Sequence, residues 1–138
     1  MFLLDTNVVS ELMREKPAAA AEAWLAATDA HLFYFSSISE AELRYGVEIL
    51  PEGRRRDSLL LQIERTLQEA FNERILPFDS IAAKYYGVIA AKRRSAGRPT
   101  SNLDCQIAAI AKSRDLTLVT RNTRDFTDVG IELVNPWD

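Results

Sequence analysis

Phe2-Leu3-Leu4-Asp5-Thr6-Asn7 is a short apolar run closed by an acid and two small polar residues. Unbroken hydrophobicity of this length predicts a strand buried on both faces, as in parallel sheets, rather than one facing water on alternate residues. Thr6 or Asn7 can cap a helix running to about Met13, and Asp5 can serve as that cap instead. In open parallel sheets ligands bind beyond the carboxyl ends of the strands. Asp5 stands at the carboxyl end of this one.

The same alternation recurs along the chain. A second helix is predicted from Pro17 to Ala27, with Pro17 in its first turn. A strand follows at Leu32-Phe33-Tyr34-Phe35 and puts His31 at its start. Ser37 or Ser39 caps a helix from about Glu40 to Leu50, ended by Pro51 and Gly53. The next helix runs from Arg54 to about Asn72. Ile75-Leu76-Pro77-Phe78 is strand-like, and its proline places it at an edge or strand end. A helix started by Asp79 or Ser80 and running to about Ser95, the loop Gly97–Thr100 and a helix capped by Ser101 or Asn102 come next. The last of these helices ends near Arg114. Leu116–Thr120 and Ile131–Val134 are the final strands. Strands alternating with helices predict a three-layer α/β/α sandwich around a mostly parallel sheet.

The 138 residues fit one domain, 1–138, able to bury a core without metal or disulfide staples. No apolar run approaches the roughly 20 residues of a membrane helix. The short N-terminal run lacks a preceding basic residue and is broken by Asp5, so it does not read as a signal peptide. Cys105 is the only cysteine, which excludes an internal disulfide and points to a reducing cytoplasm. The net charge of −3 is uneven. Residues 1–50 carry three basic and eight acidic side chains, and residues 51–138 carry fourteen and twelve. Arg54-Arg55-Arg56, Lys92-Arg93-Arg94 and Arg98 are either solvated surface or phosphate-facing rims around an acidic centre.

Three acids fall where apolar residues are expected. Asp5 closes the first strand. Glu42 shares a helical face with Ile38, Tyr45, Gly46 and Ile49, and Asp104 shares one with Ile107, Ala108 and Ala111. Each has an ordinary structural alternative: a cap for Asp5, a helix rim for Glu42, a first-turn dipole partner for Asp104. Together they predict one negatively charged pocket at an α/β crevice. Asp125, in the turn after the fourth strand, is a further candidate. Thr120 and Asn122 beside it can add neutral oxygens. One exposed-type histidine and one cysteine leave no zinc or Cys–His chemistry, and no glycine-rich phosphate loop is present. Hard oxygen donors suit magnesium or manganese, the metals of phosphodiester hydrolysis.

The segments Leu3-Leu4-Asp5-Thr6-Asn7, Ser39-Glu40-Ala41-Glu42-Leu43, Asp104-Cys105-Gln106-Ile107-Ala108 and Thr120-Arg121-Asn122 with Asp125-Phe126 resemble the PIN-domain nucleases. Their order and spacing resemble the VapC-type toxins of bacterial toxin–antitoxin pairs. Ile75-Leu76-Pro77-Phe78-Asp79 and Val134-Asn135-Pro136-Trp137 are most similar to the FitB-like branch. The resemblance spans essentially the whole chain. It implies a magnesium- or manganese-dependent ribonuclease with Asp5, Glu42 and Asp104 at the metal, and Thr6, Asn7, Thr120 and Asn122 in support. It also implies a homodimer, a small cognate antitoxin (VapB-like) whose tail blocks the site, and operator DNA bound through the antitoxin complex. Where some members carry a fourth aspartate this chain has Asn122, and Asp125 is the candidate to supply that charge. Arg54, Arg55, Arg93, Arg94 and Arg98 are the candidate RNA contacts. A DNA- or structure-specific nuclease, and a catalytically weakened binder, are the alternatives kept. A receiver-type signalling domain is disfavoured, because Asp5 has no acidic neighbour and no lysine lies between Leu116 and Asp138.

Overall fold

The computed structural model describes residues 1–138. Five short strands form one sheet: β1 (Phe2–Leu4), β2 (Phe33–Ser36), β3 (Ile75–Leu76), β4 (Thr117–Val119) and β5 (Leu133–Val134). Their order is β3-β2-β1-β4-β5 and every pairing is parallel. The helices are α1 (Thr6–Leu12), α2 (Ala19–Ala26), α3 (Ser37–Glu48), α4 (Arg54–Phe71), α5 (Ser80–Ser95) and α6 (Asn102–Ser113).

Neighbouring residues of β1 point to opposite faces, and both faces are covered. Leu3 packs with Leu118 of β4 and with Ala82, Ile89, Ile107 and Ile110 of α5 and α6. Leu4 packs with Val119, Phe33 and Phe35 and with Val8, Val9, Val47, Ile63 and Phe71 on the other side. Phe35 and Phe71 stack with centroids 5.1 Å apart. This gives the α/β/α sandwich. It also explains why the apolar run 2–4 is continuous. No helix is long and apolar enough to cross a membrane.

The chain builds β2 and β3 on one side of β1, then crosses to build β4 and β5 on the other. Two crossovers therefore leave in opposite directions between β1 and β4. That gap, at the carboxyl ends, is the topological switch point where such sheets form a crevice.

Boundaries differ from expectation where caps decide them. The α3 helix starts at Ser37, because Ser36 Oγ accepts the Ser39 N–H at 3.0 Å. It ends at Glu48, short of Leu50. The α2 helix starts at Ala19, two residues past Pro17, with no side-chain cap. β3 stops at Leu76 before Pro77, and it is an edge strand, in keeping with the proline. The last strand is two residues, not four. Two 3₁₀ turns, Ala30–Leu32 and Thr123–Phe126, were not expected. The first holds His31, exposed and paired with Asp29 at 2.8 Å.

Candidate active site

Asp5 leaves β1 at the switch point. Its backbone N–H donates to Val119 O of β4 at 2.9 Å, which continues the ladder for one more residue. Its side chain then does two jobs. Oδ1 accepts the Thr6 N–H at 2.8 Å and caps α1. Oδ2 accepts the Thr120 hydroxyl at 2.7 Å. Thr120, at the end of β4, is itself fully buried and accepts the Asn122 N–H at 3.0 Å. The hydroxyl is therefore committed as a donor toward Asp5. Asn7 spans the same gap: its Oδ1 accepts the Arg121 N–H at 3.3 Å, and its Nδ2 lies 3.4 Å from Asp5 Oδ2.

Glu42 arrives from α3, where Thr6 Oγ1 donates to its Oε1 at 2.8 Å. Asp104 arrives in the first turn of α6, capped by Ser101. Asp5, Glu42 and Asp104 face one cavity of about 520 Å³, lined also by Thr6, Asn7, Ser10, Glu11, Arg14 and Asn122, with no hydrophobic residue among the nine. No three histidine, cysteine or carboxylate side chains close to direct metal-ligating distance. The carboxylates instead stand apart: Asp5 holds a hydroxyl and an N–H, and Glu42 holds a hydroxyl.

Burial pushes the Asp5 carboxyl up to about 6, and the Asp104 and Glu42 charges push the same way, against the hydrogen bonds from Thr120 and Thr6. The Asp104 carboxyl is also raised, first by burial and then by the nearby charge of Asp125. Both acids are stressed by desolvation and by neighbouring carboxylates. All the available donors are hard oxygens. Such a set fits a hydrated magnesium or manganese ion, which keeps water between itself and part of its protein shell.

A stability consequence follows. The folded chain holds the Asp5 proton between pH ~4 and ~6, where the unfolded chain has lost it. The folded state thus binds more protons, and stability falls as pH rises through that window. At about 1.4 kcal/mol per pH unit, the Asp5 contribution is at most ~3 kcal/mol. Chemical denaturation of metal-free wild type and Asp5→Asn, compared from pH 4 to 7.5, should show wild type losing ground to the variant as pH rises. A constant difference would contradict the assignment.

Several expectations are corrected. Glu42 is not set among buried apolar residues: Tyr45 and Ile49 are 60% and 67% exposed, and the buried line of α3 is Ser39 and Val47. Asp125 is exposed and lies outside the cavity wall, acting on Asp104 only through its charge, whereas Asn122 lines the cavity. Arg93 is buried and bonded within the protein rather than facing solvent. Arg54, Arg55, Arg94 and Arg98 are exposed but outside the cavity, and Arg98 pairs with Asp128 at 3.1 Å. Glu11 was missed. It is a buried carboxylate on the cavity wall, and its position on α1 four residues after Asn7 was the available signal.

The PIN domain family profile matches residues 2–132. The chain is similar to the VapC ribonuclease Y4jK of Sinorhizobium fredii, 36% identical, covering 100% of this chain and 99% of the relative. It is similar to the toxin FitB of Neisseria gonorrhoeae, 39% identical, covering 99% of each. The solved structure of FitAB bound to an IR36 DNA fragment includes a chain that superposes with a TM-score of 0.93 and 37% identity, covering 100% of this chain and 96% of that one.

Proposed function

The chain belongs to the PIN-domain family, and from that premise we propose that it is a magnesium- or manganese-dependent endoribonuclease, the toxin of a VapBC-type pair. The observation that carries this is the switch-point cavity, with Asp5 buried and raised to about 6 beside Glu42 and Asp104. The name of its Sinorhizobium relative, a VapC ribonuclease, favours RNA over DNA as substrate and activity over a weakened binder.

Asp5, Glu42 and Asp104 would hold the ion, directly or through water. When bound, it supplies positive charge that offsets the scissile phosphodiester and makes water more acidic at neutral pH. The chain's own part is positioning. Thr120 and Thr6 fix the Asp5 carboxylate from two sides, and Thr6 also fixes Glu42. One threonine thus sets the spacing of two acids. Asn122 offers a neutral amide where a fourth charge would otherwise stand. Cleavage is expected to leave 5′-phosphate and 3′-hydroxyl ends.

A second feature supports the toxin reading. An apolar groove lined by Met13, Leu43, Val47, Leu59 and Ile63 runs into the acidic cavity and shares Thr6, Ser10, Arg14 and Glu42 with it. A short segment of an antitoxin lying there would block the site. Ile81, Tyr85 and Val88 on one face of α5 are exposed, which supports a homodimer. An RNA target places the action in the cytoplasm. Operator DNA would be bound through the antitoxin.

Purified chain free of any partner should cut RNA in magnesium or manganese and stop in excess EDTA. Induced expression should arrest growth, and co-expression of the cognate small partner should restore it. Cleavage that persists at full rate in EDTA would overturn the metal assignment. An inert protein in both assays would overturn the function.

A further inference from the structure

A polyanion must enter a cavity that already holds four carboxylates: Asp5, Glu11, Glu42 and Asp104. Like charges there repel a phosphate, and one metal ion does not balance them. Among the nine lining residues, Arg14 is the one cation. Its place is built. The α1 helix is capped at Met13, and the Arg14 N–H turns back onto Glu11 O at 3.1 Å. Glu11 is only 6% exposed. Its Oε2 accepts the Ala18 N–H at 3.0 Å, pinning the connection to α2, and its Oε1 lies 3.4 Å from Arg14 Nη1. A buried carboxylate needs such partners. One nitrogen of the guanidinium faces Glu11, and the side chain stays 68% exposed. Its remaining donors are open to solvent at the cavity mouth, in the fork geometry that suits phosphate oxygens.

Three other arginines are engaged elsewhere. Arg56 pairs with Glu48, Arg98 with Asp128, and Arg121 lies over the Trp137 ring at 5.2 Å. We infer that Arg14, not the basic runs, is the side chain that grips an RNA phosphate beside the scissile one. This deepens the ribonuclease reading and rests on it.

The test is binding without turnover. A fluorescein-labelled single-stranded RNA of mixed sequence is titrated into Asp5→Asn protein across a range of sodium chloride, and into the same protein carrying Arg14→Ala. Arg14 is exposed and Glu11 keeps the Ala18 N–H, and matching circular-dichroism spectra of the two proteins check that both are folded. The expected result is about a tenfold loss of affinity at low salt. The salt slope should flatten by about 0.7, the value for one lost single-strand phosphate contact. Arg14→Lys should keep the slope and lose part of the affinity, because a point charge replaces the fork. In the active protein, Arg14→Ala should raise KM about tenfold with kcat within about threefold.

An unchanged slope, no measurable RNA binding to Asp5→Asn protein, or a larger loss from Arg54→Ala with Arg55→Ala would overturn the assignment. So would intact RNA binding with loss only of the antitoxin complex. Wild-type cleavage with an unmoved KM in Arg14→Ala sinks this inference alone. No wild-type cleavage, with the slope change retained, sinks the ribonuclease reading alone.

Discussion

Asp5→Asn is expected to cut RNA cleavage by roughly a thousandfold or more while raising the melting temperature of the metal-free protein. The two effects have one cause. Asp5 sits at 5% exposure between a β-strand end and a helix start, and burial holds its carboxyl up at about 6. At pH 7 the folded chain must carry that charge largely unneutralised. Asparagine removes it and keeps the shape. Its amide oxygen can still accept the Thr6 N–H, while its amide nitrogen faces the Thr120 hydroxyl, whose proton loses its acceptor. The gain is less than the ceiling of ~3 kcal/mol, because the new N–H₂ meets Asn7 Nδ2 where the carboxylate had met it at 3.4 Å. A net gain of about 1–2 kcal/mol, roughly 3–8 °C, is expected. Millimolar magnesium should then stabilise wild type and leave the variant unmoved, since only a native state that binds the ion gains from it. Calorimetry with and without magnesium, beside a gel assay of RNA cleavage, separates the outcomes. A variant that melts lower than wild type without metal would show that the carboxylate is structural. Full cleavage by the variant would remove Asp5 from the site.

This trade between stability and activity also explains what the sequence could and could not reveal. The run Phe2–Leu4 was readable because a strand buried on both faces has no polar register. The placement of Asp5 was readable because it closes the first strand, and parallel sheets bind ligands beyond the carboxyl ends of their strands. Caps were readable to within a residue or two, as with Asp79 and Ser101. Glu42 reached the cavity for a reason periodicity did not supply. Of the apolar stripe it shares, Ile38 packs against the core, whereas Tyr45 and Ile49 look outward. An apolar face left for a partner has the same period as one left for the core. Asn122 and Asp125 illustrate another limit. Three residues apart in a tight 3₁₀ turn, they diverge, and only Asn122 faces the cavity. Arg14 and Glu11 were passed over because a helix end with mixed charges looks like ordinary solvated surface.

Arg93 is the sharpest case of this kind, and its replacement by alanine is expected to cost about 3–4 kcal/mol of stability with no direct effect on RNA affinity. In the sequence it sits inside Lys92-Arg93-Arg94 and looks like its neighbours. In the fold it is 6% exposed. Its Nε donates to Thr100 Oγ1 at 2.8 Å, and its Nη1 donates to Thr127 O at 2.6 Å. One guanidinium therefore ties α5 to the loop before α6 and to the chain leaving the second 3₁₀ turn. Its hydrogen-bond partners are neutral oxygens. Alanine would remove the hydrogen bonds to the Thr127 carbonyl and the Thr100 hydroxyl and empty the space of a long apolar stem. Against a typical total of 5–15 kcal/mol, that loss is large, and a fall in melting temperature of roughly 10–20 °C should follow. Arg94→Ala, one residue on and exposed, should stay within about 0.5 kcal/mol of wild type. Arg93→Lys keeps the charge but cannot reach two oxygens in one plane, so it should fall between them. Urea titration of the three variants tests the ranking, and RNA titration at a temperature where all are folded tests the rest. If Arg93→Ala unfolds like wild type but binds RNA more weakly, the basic run is a nucleic-acid rim after all, and the buried bridge contributes little to the fold.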